Sequence, residues 1–268
     1  DSLMSGTRIT VPPLKIDLDE DGFDGVCKLD RKSDGKKLSE LVERISEPLV
    51  IALDAPWGAG KSVFLQCWVG EHRKPEHAYE ANTLYFDAFK HDFLDDPLIA
   101  LTGAISERFS TGDAKSEKWQ RAKNAASKLA RPAVRILGAV ASAGATEVAG
   151  VLVDAALEAG SKELQDASEK FWAKENGKRA AMKAFRTALK DLAADQKLVI
   201  VIDELDRCRP DYALNLLEVI KHFFDVDNVH FVLGVNLKEL ENSVRARYGS
   251  KVNAAKYLQR FYNVHMSI

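Results

Sequence analysis

Leu49-Val50-Ile51-Ala52-Leu53-Asp54-Ala55-Pro56-Trp57-Gly58-Ala59-Gly60-Lys61-Ser62 is a short apolar run that opens into a glycine-rich turn. Five consecutive apolar residues entering such a turn predict a strand covered on both sheet faces. The turn predicts a phosphate cradle, because glycine lets backbone N–H groups turn inward and approach phosphate oxygens. Lys61 supplies the charge for the β- and γ-phosphates, and the Ser62 hydroxyl is the expected ligand of Mg²⁺. A helix expected over residues 60–70 adds the partial positive charge of its N-terminus. The nucleotide contacts are therefore assigned to Pro56, Trp57, Gly58, Ala59, Gly60, Lys61, Ser62 and Val63. The usual pattern opens with Gly, and here Ala55 stands in that place, small enough for the turn. A large ring inside the loop is uncommon; Trp57 either packs over the loop or touches a base.

Outward from this stretch, apolar runs alternate with helical patterns. A helix is expected over 36–46, with Leu38, Leu41, Val42 and Ile45 on one face. Strands are expected over 83–87, 198–202 and 229–235, and a last apolar run closes the chain over 264–268. Helices are expected from about 95–97, over 211–224 and over 237–248. This alternation implies right-handed βαβ units and an α/β fold. The expected architecture is a three-layer P-loop NTPase with a central, mainly parallel five-stranded sheet and a helical insertion. By residue, the parts are an N-terminal arm (1–35), a first core segment (36–110), the insertion (111–196) and a second core segment (197–268).

The third strand ends in Asp203-Glu204, which supplies the other half of the chemistry. A carboxylate at the tip of a strand near the phosphate loop holds the magnesium shell, a role given to Asp203. The adjacent Glu204 is the expected general base for an attacking water. Arg207 follows, either as an arginine finger toward a neighbouring subunit's γ-phosphate or as a partner of Asp206. Asn236, at the tip of the fourth strand, is a candidate γ-phosphate sensor or a loop cap. Arg260 is a weaker candidate of that kind. Asp87 is a candidate organiser of the metal site, and His91 reads as structural.

Composition bounds the remaining choices. The chain has 268 residues, 46% hydrophobic and 29% charged, which is the make-up of an ordinary globular protein. A net charge of -2 argues against bulk electrostatic binding to nucleic acid. Cys27, Cys67 and Cys208 form no paired spacing, so neither a zinc site nor a disulfide framework is expected. The N-terminus lacks a signal-peptide pattern, Met4 is a candidate native start, and the closing apolar run suggests that more chain follows. In the insertion, residues 136–146 are charge-free and rich in Ala and Gly, but Arg135, Glu147 and Asp154 cut the run short of a membrane span. A close-packed helical pair is the favoured reading, and a membrane hairpin or interfacial helix the other. A cytoplasmic location is expected, with the cytoplasmic face of the inner membrane as the alternative.

These motifs together resemble the KAP family of P-loop NTPases. The resemblance rests on the Trp57-Gly58 pair before Gly60-Lys61-Ser62 and on the aromatic motif Phe86-Asp87-Ala88-Phe89-Lys90. It rests further on Val201-Ile202-Asp203-Glu204-Leu205-Asp206-Arg207-Cys208 leading into Leu216-Leu217-Glu218, and on Val232-Leu233-Gly234-Val235-Asn236 with Tyr257-Leu258 and Phe261 behind it. It implies an ATPase of the additional-strand division, related to signalling (STAND-type) switch ATPases. Many such relatives carry transmembrane helices where this chain has its insertion, and bacterial members are often linked to defence against phage. Where many relatives have Asp-Asp, this chain has Asp203-Glu204. The expected function is an Mg²⁺-dependent ATP-hydrolysing switch that assembles into a homo-oligomer and controls an effector protein. A nucleotide-gated scaffold with little turnover is the alternative. A third reading is a nucleic-acid-stimulated ATPase using the basic stretch 115–135.

Overall fold

The computed structural model describes residues 14–110, apart from 26, 28, 29, 75–78 and 95, and residues 175–268. Five strands build one sheet: β1 (Leu49–Asp54), β2 (Asn82–Asp87), β3 (Leu198–Asp203), β4 (Val229–Val235) and β5 (Val264–Ser267). Their order is β2-β3-β4-β1-β5, and every neighbouring pair is parallel. Parallel pairing demands crossovers, and helices supply them. The described helices are α1 (Lys32–Arg44), α2 (Lys61–Arg73), α3 (Ala88–His91), α4 (Pro97–Ser110), α5 (Glu175–Leu192), α6 (Pro210–Ile220), α7 (Leu237–Tyr248) and α8 (Ala254–Leu258). β4 lies between β1, which feeds the glycine-rich turn, and β3, which carries the acids. A strand inserted at this place is what the family resemblance implies.

Strand alternation sorts the core onto two faces. Leu49, Ile51 and Leu53 of β1 pack with Val199, Val201 and Val232 against α1 and α2. Val50 and Ala52 join Ile200, Ile202, Phe231 and Leu233 on the other face, against α4 through α7. All seven residues of β4 and all six of β3 are buried, which explains why both read as unbroken apolar runs. Trp68 of α2 is wholly buried, and its indole N–H is shared between the Ser39 hydroxyl (3.0 Å) and the Gly35 carbonyl (3.2 Å) of α1.

The expected strands and long helices appear with ends shifted by a few residues. Helix α3 and the short helix α8 have too few residues to show periodicity, and sequence patterning passes over them. In the expected N-terminal arm, the described residues between 14 and 31 lack helix and strand, yet Phe23 is buried against Phe64 and its N–H donates to Glu71 at 3.2 Å. The expected insertion (111–196) contains α5, whose Phe185, Leu189 and Leu192 belong to the core. The basic stretch 115–135 and the charge-free run 136–146 lie outside the described residues. Among the described residues, no helix is long and apolar enough to cross a membrane.

Candidate nucleotide site

The carboxyl ends of the adjacent parallel strands β1, β4 and β3 lie along one edge of the sheet, the edge at which α/β sheets place their ligands. β1 ends at Asp54, and the Ala55 N–H donates to the Val235 carbonyl at 3.1 Å, anchoring the start of the loop to β4. Ala55 is buried and its φ is not positive, so a Cβ is accommodated there without strain. Gly58 (φ 81°) and Gly60 (φ 80°) are both left-handed, a conformation that L side chains rarely adopt. Gly60 is the N-cap of α2 and makes no side-chain cap, leaving the first-turn amides of that helix for a ligand. Val63 sits in this first turn and packs against the core below it.

The acidic strand delivers its side chains toward the loop. Asp203 is fully buried at the end of β3. Its Oδ2 accepts from the Tyr85 hydroxyl at 2.8 Å, and its Oδ1 accepts from the Glu204 N–H at 2.8 Å. The Tyr85 oxygen in turn accepts from the Gln66 amide at 3.1 Å, so α2, β2 and β3 share one hydrogen-bond chain. Burial pushes the Asp203 carboxyl up to about 6, opposed by hydrogen bonds from Ser62, Tyr85 and the Glu204 amide.

Glu204 takes up a left-handed conformation (φ 60°), uncommon for a residue with a side chain. Its Oε1 accepts from the Ser62 hydroxyl at 2.7 Å, and its Oε2 pairs with Arg207 Nε at 2.8 Å. Arg207 thus engages Glu204 in place of the Asp206 considered from sequence. Asp206 instead reaches the loop: Oδ2 accepts from the Trp57 indole N–H at 2.5 Å, and Oδ1 lies 3.6 Å from Lys61 Nζ. Trp57 packs across its own loop on the acidic side, with 55% of its surface exposed.

The remaining candidates have other engagements. Asn236 is the half-buried N-cap of α7, but its side chain makes no cap bond. The cap is Asp54, whose Oδ1 accepts from the Leu237 N–H at 2.9 Å. Asp87 caps α3, accepting from the Lys90 N–H at 3.1 Å, and stands in register with Asp203. His91 stacks on Phe86 and contacts the Asp87 carbonyl at 2.8 Å, a structural role. Arg260 lies over Tyr257, 4.3 Å from the ring centre, and pairs with Glu218 at 3.6 Å.

Tyr85, Gln66, Gly234 and the paired roles of Asp206 were not visible from sequence. The one signal for Tyr85 is a hydroxyl inside an otherwise buried strand, which needs a partner. Gly234 matters because a Cβ there would meet Asp203 Oδ1 at 2.5 Å and Leu65 Cδ1 at 2.4 Å. The missing side chain on β4 is the space that Asp203 occupies.

A parallel sheet with an additional strand, a left-handed glycine loop before a helix and a buried acidic strand tip define a P-loop NTPase domain, which binds nucleotide phosphates. The chain belongs to the KAP family: the model of the KAP family P-loop domain matches residues 32–268. No curated protein matches the chain.

Proposed function

We propose that the chain is an Mg²⁺-dependent ATPase whose nucleotide state controls assembly and an effector protein. The observation that carries this reading is the direct contact of Ser62 with Glu204 at 2.7 Å, beside the buried Asp203. It joins the residue proposed for the cation to the residue proposed for the water. Oxygen donors alone, a hydroxyl and a carboxylate, suit Mg²⁺. Among the described residues, no group of three or more His, Cys, Asp or Glu side chains could hold a metal. Two protein ligands fit an ion that completes its shell with phosphate oxygens and water.

In this reading Ser62 and Asp203 hold Mg²⁺, and the ion when bound neutralises charge on the β- and γ-phosphates. Lys61, only 7% exposed, meets the same phosphates together with the backbone amides of residues 58–62. Glu204 orients and deprotonates the attacking water. The Ser62 hydroxyl donates its proton to Glu204, and its oxygen lone pairs remain available to ligate a cation, so one side chain would serve both the ion and the base. Assembly into a homo-oligomer and a part in defence against phage rest on the family resemblance.

Glu204→Gln is the test. It is expected to retain ATP binding and to lose turnover by a factor of about 10² to 10⁴, the usual worth of a positioned base. Turnover at the wild-type rate would remove the base assignment. A second reading, a nucleotide-gated scaffold with little turnover, is favoured by the Arg207–Glu204 ion pair, which occupies the other oxygen of the proposed base.

A further inference from the structure

We propose that Asp206 is a positioning residue that competes with the phosphates of a bound nucleotide for Lys61, and that Trp57 reports the competition. The proposal rests on reading residues 58–62 as the phosphate site.

Asp206 lies in the single 3₁₀ turn Leu205–Arg207 that follows the acidic strand, and its side chain is 1% exposed. Its two oxygens are used unequally. Oδ2 holds the Trp57 indole at 2.5 Å. Oδ1 is buried without a hydrogen bond and faces Lys61 Nζ across 3.6 Å. That separation is beyond hydrogen-bonding reach, so charge alone draws the two together. A carboxylate oxygen out of water with no donor costs free energy, and closing on Lys61 would relieve it. The pair is therefore close enough to neutralise the ammonium but is not closed.

Lys61 carries a single compact charge, and a phosphate chain presents more negative charge than one carboxylate. When phosphate oxygens take the ammonium, Asp206 is left buried beside like charge, with the Trp57 N–H as its remaining donor. Asp206 therefore opposes phosphate entry. Trp57, more than half exposed on the loop, shifts with the carboxylate. Asp206→Asn keeps an acceptor for the indole and removes the charge that competes for Lys61.

The experiment compares wild type, Asp206→Asn, Trp57→Phe and Lys61→Ala, titrated with ADP and with a non-hydrolysable ATP analogue. Calorimetry reads affinity and tryptophan emission reads the loop. The chain has four Trp residues, and the Trp57→Phe difference isolates the signal of Trp57. Asp206→Asn is expected to bind the ATP analogue about tenfold more tightly, the scale of one partly screened charge pair at this separation. Its Trp57 emission no longer follows the nucleotide, whereas that of wild type does. Unchanged or weaker binding by Asp206→Asn, with Lys61→Ala unable to bind, overturns the role of Asp206 and leaves the phosphate site intact. Undiminished binding by Lys61→Ala sinks the phosphate-site reading itself. If Asp206→Asn does not fold, Trp57→Phe carries the test. With the indole donor gone, Asp206 turns to Lys61 and the analogue binds severalfold more weakly; unchanged affinity overturns the proposal.

Discussion

The Tyr85 hydroxyl donates to Asp203 Oδ2 at 2.8 Å, from the edge strand β2 to the acidic tip of β3. Burial raises the Tyr85 hydroxyl far above its ordinary pKa, so it stays a donor throughout the physiological range. It steadies a carboxylate that has no exposure to water. Tyr85→Phe is expected to lower stability by about 1–3 kcal/mol, because Asp203 loses a donor and Gln66 an acceptor. Urea unfolding of the two proteins at neutral pH measures the difference. A loss below experimental error would show that the bond does not support the site.

Arg207 decides between turnover and restraint. Its ion pair with Glu204 is half exposed, and such pairs are worth at most about 1 kcal/mol. If the pair restrains the base, Arg207→Ala raises the ATPase rate of the dilute chain by up to about fivefold. A fall of several powers of ten that appears as protein concentration rises would instead make Arg207 a finger acting on a neighbouring copy.

Gly234 tests the packing that seats the acid. A methyl at this position would overlap both Asp203 and Leu65, so Gly234→Ala is expected to cost about 1–3 kcal/mol. Nucleotide affinity should fall with it, since the displaced carboxylate is the proposed cation ligand. Thermal melting with and without ADP and Mg²⁺ checks both effects. A stable variant with full affinity would mean that β4 yields without moving Asp203.

His230 sets an acid limit on stability. It is fully buried on β4, and burial, together with the nearby charge of Lys197, lowers its pKa to about 4. The unfolded chain takes up the proton near the ordinary value of about 6.5, whereas the folded chain resists it. The stabilisation is therefore complete above about pH 6.5 and is lost as the pH falls toward 4, to a total of roughly 3 kcal/mol. Denaturant unfolding of wild type and His230→Leu at pH 7.5, 5.5 and 4.5 measures it. The wild type should lose stability more steeply; parallel losses would show that the folded ring takes up its proton as readily as the unfolded one.

Local order was the legible part of this molecule. The apolar runs at 49–53, 198–202 and 229–235 predict buried parallel strands because each is shielded on both faces, and a continuous run can satisfy that in no other short element. Gly58 and Gly60 predict the loop because the backbone must turn where Cβ is not tolerated. Asp203 and Glu204 stand out as acids at the end of an apolar strand. Partnership was not legible, because it depends on strand order and on the direction of side chains over long separations. Placing β4 between β1 and β3 makes Gly234 the neighbour of Asp203. Pairing β2 with β3 gives Tyr85 its acceptor. The 3₁₀ turn after β3 sends Asp206 toward Lys61 and Trp57 while Arg207 turns back to Glu204. Periodicity reports burial one residue at a time, whereas these contacts exist only after separate crossovers bring four strand ends together.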